Sequence, residues 1–76
     1  MIRYDEHAEF QLDRCGISKT WIEETLREPD ETEVKGRRRS FLRCLPGRKF
    51  TLRVVTPLDD SGYAITAYFD RRRPCV

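Results

Sequence analysis

The run Phe50-Thr51-Leu52-Arg53-Val54-Val55-Thr56 is aromatic or β-branched at five of its seven positions. The cluster Asp59-Asp60-Ser61-Gly62 follows, and the chain then continues as Tyr63-Ala64-Ile65-Thr66-Ala67-Tyr68-Phe69. Two strand-forming runs separated by turn residues read as an antiparallel pair. Alternation puts Phe50, Leu52 and Val54 on one side with Ile65, Ala67 and Phe69. The other side carries Thr51, Arg53, Val55, Thr66 and Tyr68, a polar face on an otherwise apolar hairpin. This pair is the foundation of the fold expected here.

Working outward, Pro46-Gly47 marks a turn, because proline pre-sets the first central residue and glycine accepts a positive φ. Residues 40–45 then supply another strand, and residues 32–35 open the first. Consecutive strands with short turns make an antiparallel meander of three to four strands. Arg37-Arg38-Arg39 falls between strands, as an exposed turn or an edge whose charges discourage aggregation. The tail Arg71-Arg72-Arg73-Pro74 is expected to fray.

Upstream, the period changes from two to 3.6. Asp5 is a suitable N-cap for a helix over 5–15, and Gly16 the residue just past its end. Ala8, Leu12 and Cys15 form its apolar stripe, opposite Asp5, Glu6, Glu9 and Asp13. His7, Gln11 and Arg14 lie on the arc between Phe10 and that stripe, at the rim of the core. A second helix spans 18–28, capped by Ser18, with Ile17 stapled onto Ile22. Trp21, Ile22, Thr25 and Leu26 share its apolar face, and Lys19, Glu23 and Arg27 form i,i+4 pairs on the other. Pro29 disfavours helical geometry at Glu28 and ends it. The fold class is therefore α+β, with two N-terminal helices on one face of an antiparallel sheet, all in one domain over residues 1–76.

At 38% hydrophobic residues the chain can fold, while 37% charged residues demand a heavily charged exterior. No apolar run approaches the roughly 18 residues of a membrane span, and the first residues contain no secretory apolar core. A cytoplasmic location is expected, with no membrane partner. Three cysteines, Cys15, Cys44 and Cys75, none in C-x-x-C spacing, argue against both a disulfide framework and a zinc site. His7 and Cys15 also stand about 80° apart around the helix axis. No metal and no cofactor are expected.

The net charge of +2 conceals a strong asymmetry. Residues 1–33 hold ten acids against four bases, a net of −6, and residues 34–76 hold eleven bases against three acids, a net of +8. Two readings compete equally. Either the basic half meets an anionic partner, or the acidic helices complement the basic sheet within the monomer.

His7-Ala8, Gly16-Ile17-Ser18, Val54-Val55 and the closing Thr66-Ala67-Tyr68 together resemble a bacterial family of small domains of unknown function. That family reads HA, a helix, RGIS, a second helix, a VV strand and a T-x-Y strand, and is similar in outline to the RelE and BrnT toxins. The resemblance covers nearly the whole chain in order. It implies a RelE-like fold, metal-independent RNA cleavage and an antitoxin-like protein partner. Relatives usually carry arginines where this chain has Gln11 and Cys15, and Arg14 is the nearest basic residue.

Metal-independent cleavage of RNA needs a base for the 2′-hydroxyl, cations for the phosphoryl oxygens and an acid for the leaving oxygen. His7 is the one side chain whose ordinary pKa lies near neutrality. Arg53 offers a planar phosphate clamp, and Thr66 and Tyr68 offer hydroxyls, with the Tyr68 ring available for base stacking. The expected catalytic set is thus His7, Arg53, Thr66 and Tyr68. Arg14, Arg37, Arg38, Arg39 and Arg43 are the expected nucleic-acid contacts. Bland alternatives apply to each: a locally bonded helix histidine, a solvated sheet face and an exposed turn. A non-catalytic binding module, whose basic sheet meets nucleic acid or an acidic protein, is the rival reading. An inactive structural domain in a larger assembly is the third.

Overall fold

The computed structural model describes residues 2–75. It contains β1 (Arg3–Tyr4), α1 (Glu6–Cys15), α2 (Lys19–Arg27), β2 (Glu31–Lys35), β3 (Arg38–Arg43), β4 (Phe50–Pro57), β5 (Tyr63–Ala64) and β6 (Thr66–Pro74). Both helices precede an antiparallel four-stranded sheet of order β2-β3-β4-β6, so the α+β class holds. Among the described residues no helix is long and apolar enough to cross a membrane.

The helix ends form as the local chemistry dictates. The Asp5 side chain accepts from the His7 N–H at 3.1 Å, and Gly16 closes α1 in the left-handed region at φ 66°. Ser18 accepts from the Thr20 N–H at 3.0 Å, and Glu28, held outside the helical region ahead of Pro29, stops α2. Ile17 and Ile22 both enter the core, as a staple requires. Cys15, by contrast, is exposed, which narrows the buried stripe of α1 to Ala8 and Leu12.

The core lies between the helices and one sheet face. Leu12, Ile17 and Ile22 meet Phe41, Leu52, Val54 and Ala67 there. Cross-strand pairs explain the set: Phe41 stands opposite Val54 and Val54 opposite Ala67, while Leu52 stands opposite Phe69. The expected division of faces along β4 and β6 is therefore correct.

Four local expectations are overturned. Residues 63–69 are not one strand. Tyr63–Ala64 turns away to pair in parallel with Arg3–Tyr4, and Ile65 returns the chain to β4 by donating to the Val55 carbonyl at 2.8 Å. The Arg37–Arg39 run does not lie at an edge, since Arg38 and Arg39 open β3, an inner strand. Nor does the tail fray: β6 continues to Pro74. Finally, Lys19 reaches across the helix junction to Glu9 at 2.8 Å rather than along its own helix to Glu23.

Three contacts hold the end of β6. Thr51 Oγ1 donates to the Arg73 carbonyl at 2.8 Å, the Cys75 N–H donates to the Lys49 carbonyl at 2.7 Å, and Cys44 and Cys75 form a disulfide. Their Cα atoms stand 5.6 Å apart, the usual span of such a bridge. This bridge overturns the expectation against disulfide pairing, which cysteine spacing could not correct because 31 positions separate the two residues. Between them β6 bulges: Thr51 pairs with Asp70, but Phe50 pairs with Pro74. The three arginines 71–73 thus oppose a single step of β4, and the bulge re-aims their side chains.

Candidate functional site

The sheet face turned away from the helices holds the densest chemistry. Register builds it in two rows, Glu31–Leu42–Arg53–Tyr68 and Glu33–Ser40–Val55–Thr66. Lys35 and Arg38 are partners at the hairpin end of the same face, and the β6 bulge adds Arg72 and Arg73 at the other. Of these, Glu33, Lys35, Arg38, Arg53, Arg72 and Arg73 line an open groove of about 740 Å³, together with Tyr68, Ser40 and Asp70.

Arg53 sits at its centre and is committed. Its Nε donates to Asp70 at 2.9 Å, its Nη2 lies 2.8 Å from the same oxygen, and its Nη1 donates to Glu33 at 3.1 Å. Arg73 extends the chain of charges, reaching Glu33 at 2.6 Å and Glu31 at 2.7 Å. Burial disfavours the charge on Arg53, but the bonds to Asp70 and Glu33 outweigh it and hold the guanidinium pKa above its ordinary value. Asp70 is held below the usual aspartate range by the Arg72 backbone N–H, against the cost of burial, and then by Arg53. Glu33 is lowered chiefly by its bond from Arg53.

This network corrects the charge argument. Where the sheet's cations are paired at its centre, Arg53 and Arg73 meet carboxylates of the sheet itself, Glu31, Glu33 and Asp70, and not the helices. Among the described residues the one sheet cation paired from the helical side is Arg43. It donates to the Glu28 carbonyl at 2.6 Å, with the Glu28 carboxylate at 3.9 Å.

Of the expected catalytic set, the structure brings Arg53 and Tyr68 together in the groove. Thr66 ends the neighbouring row but does not line the groove. His7 is exposed on α1, whose Ala8 and Leu12 pack on the core side of the sheet, and it does not line the groove either. Among the expected nucleic-acid contacts, only Arg38 faces the groove. Arg39 falls on the opposite side by alternation, across from Thr56. Arg37 occupies the turn, where its carbonyl accepts from the Leu58 N–H. Arg43 clasps the end of α2, and Arg14 lies in the last turn of α1.

Sequence reasoning missed Lys35, Arg72, Arg73, Glu31 and Glu33 as members of this face. For β2 a signal existed, since period two puts Glu31, Glu33 and Lys35 on one side. For Arg72 and Arg73 there was none, because the bulge that aims them is a property of the paired strands. Comparison of the chain with protein-family models, with curated proteins and with solved structures returned no match.

Proposed function

We propose that this domain is a non-catalytic module that binds single-stranded RNA along the open face of its sheet. The observation that carries the reading is the division of labour among the groove's cations. Arg53 and Arg73 are held by carboxylates, whereas Lys35, Arg38 and Arg72 line the groove and join no ion pair among the described residues. A saturated centre fixes the shape of the face, and the uncommitted cations at its two ends are available to phosphates. Tyr68, half-buried between them, offers a ring on which a base can stack. Catalysis through Arg53 would require it to leave two carboxylates, and the expected base, His7, is carried on the core side.

The test is fluorescence anisotropy with a labelled RNA oligonucleotide across a range of salt. Affinity should fall by about 0.7 log units per decade of salt for each phosphate contact, and Lys35→Ala/Arg38→Ala/Arg72→Ala should flatten that slope. Tyr68→Ala should weaken binding by about 1–3 kcal/mol, the worth of one stacked base. Affinity indifferent to salt would refute the proposal. Equal competition by a poly-glutamate peptide would favour an acidic protein partner instead. Cleavage of the RNA by the wild type, abolished in His7→Ala, would restore the reading as a toxin-type ribonuclease restrained by an antitoxin.

A further inference from the structure

A second cluster of unpaired cations lies on the other side of the sheet, and it has an aromatic floor. The turn at Gly47, with φ 79°, brings Arg48 back over α2. Its guanidinium stacks 4.8 Å from the centroid of Trp21 and 5.2 Å from that of Phe69. Those two rings meet edge to face at 6.4 Å, so Arg48 is presented on a packed support. Beside it, Lys49, Phe50, Phe69 and Arg71 line a hollow of about 370 Å³. Arg71 reaches this side by alternation from Phe69, whereas Arg72 and Arg73 line the groove.

No carboxylate lines the hollow. Arg48, Lys49 and Arg71 join no ion pair among the described residues, although carboxylates neutralise Arg53 and Arg73 a few residues away. Three like charges gathered around one cavity repel each other unless an anion enters, and a phosphate monoester brings close to two negative charges. Planar, weakly hydrated guanidinium groups suit that ligand. The apolar part of the lining, Phe50 and Phe69, suits a flat aromatic group attached to the phosphate. The volume falls at the lower end of the range for small-ligand pockets.

We infer that the Arg48–Lys49–Arg71 hollow binds a nucleoside 5′-monophosphate, with the phosphate on the three cations and the base against Phe50 and Phe69. A free nucleotide and the 5′ end of an RNA present the same chemistry. The inference does not depend on the groove, whose cations lie on the opposite face.

Trp21, the chain's one tryptophan, touches Arg48 and reports the site by its fluorescence. Titration with AMP should change that fluorescence saturably. Adenosine and inorganic phosphate should each bind at least about tenfold more weakly, because each makes only half of the contacts. Lys49→Ala and Arg71→Ala should each weaken AMP by about fivefold to tenfold. Phe50→Leu, which keeps the apolar volume and removes the ring, should weaken AMP and leave phosphate unchanged. Lys35→Ala/Arg38→Ala/Arg72→Ala should bind AMP normally, which separates this site from the groove. An oligonucleotide bearing a 5′-phosphate and binding more tightly than AMP would identify the RNA end as the ligand. AMP binding as tightly as that oligonucleotide would identify the free nucleotide. No saturable change with AMP and the oligonucleotide, wild-type affinity in both cation variants, or phosphate binding as tightly as AMP would each overturn the inference.

Discussion

Replacing Arg53 by alanine separates a structural arginine from a ligand-binding one. Its side chain is 15% exposed and that of Asp70 is 11% exposed, so the pair is screened from water on most sides. Arg53→Ala leaves the Asp70 carboxylate with its Arg72 N–H bond but without its ion-paired guanidinium, and leaves Glu33 with Arg73 alone. Removing one partner of a buried pair costs about 3–5 kcal/mol. The lower end applies here, because Glu33 is more than a third exposed and adds little. A domain of this size has a total stability of about 4–11 kcal/mol, so a loss of about 3 kcal/mol lowers Tm by roughly 12–24 °C. Urea denaturation followed by circular dichroism gives the value directly. A double-mutant cycle with Asp70→Asn isolates the pair, and its coupling should reach about 2 kcal/mol. An Arg53→Ala protein within about 0.5 kcal/mol of wild type, the range of an ordinary surface substitution, would refute the account of Arg53 as the keystone of the face. RNA affinity that fell in such a stable variant would return Arg53 to the binding set.

Three further outcomes follow from the same contacts. Reduction, or Cys44→Ser/Cys75→Ser, opens a covalent loop spanning 31 positions and should cost about 3–4 kcal/mol by loop entropy, read as a lower urea midpoint in dithiothreitol. The folded-state pKa of Asp70 is depressed, so its contribution is fully present above the ordinary aspartate value and is lost as pH falls through the lower folded value. Acid titration should therefore show Asp70→Asn losing stability less steeply than wild type below about pH 4. Gly16→Ala places a side chain at φ 66° with no clash around it, so the backbone alone should cost about 1–2 kcal/mol in thermal melts.

Local signals carried the fold a long way. Asp5, Gly16, Ser18 and Pro29 bound the helices because capping and proline sterics act within one turn, and the alternation from 50 to 56 assigned both sheet faces. What escaped was set by partners distant in sequence. Nothing in Tyr63-Ala64 announces a parallel pairing with Arg3-Tyr4, and nothing in Cys44 announces Cys75. Arg71-Arg72-Arg73-Pro74 looks like a solvated tail until β4 and the Thr51 hydroxyl fix it. The candidate site suffered in the same way. Arg53 and Tyr68 were placed on the correct face, but an arginine's availability depends on which carboxylates the register brings beside it. Glu33 lies twenty positions from Arg53, beyond the reach of any local rule.

The parallel pairing of β1 with β5 also orders events in time. Arg3 donates to the Gly62 carbonyl at 2.7 Å and Asp5 to that of Ala64 at 2.9 Å, while the Tyr63 hydroxyl bonds to the Asp5 carboxylate that caps α1. During synthesis the residues that start the first helix leave the ribosome some sixty positions before the residues that brace them. The acidic helical segment must therefore wait, incompletely anchored, until the basic sheet segment has emerged to complete it. Contacts of such long sequence separation are slow to form. Until then the acidic and basic segments stay apart, and Arg3–Tyr4 can pair only once Tyr63–Ala64 has emerged.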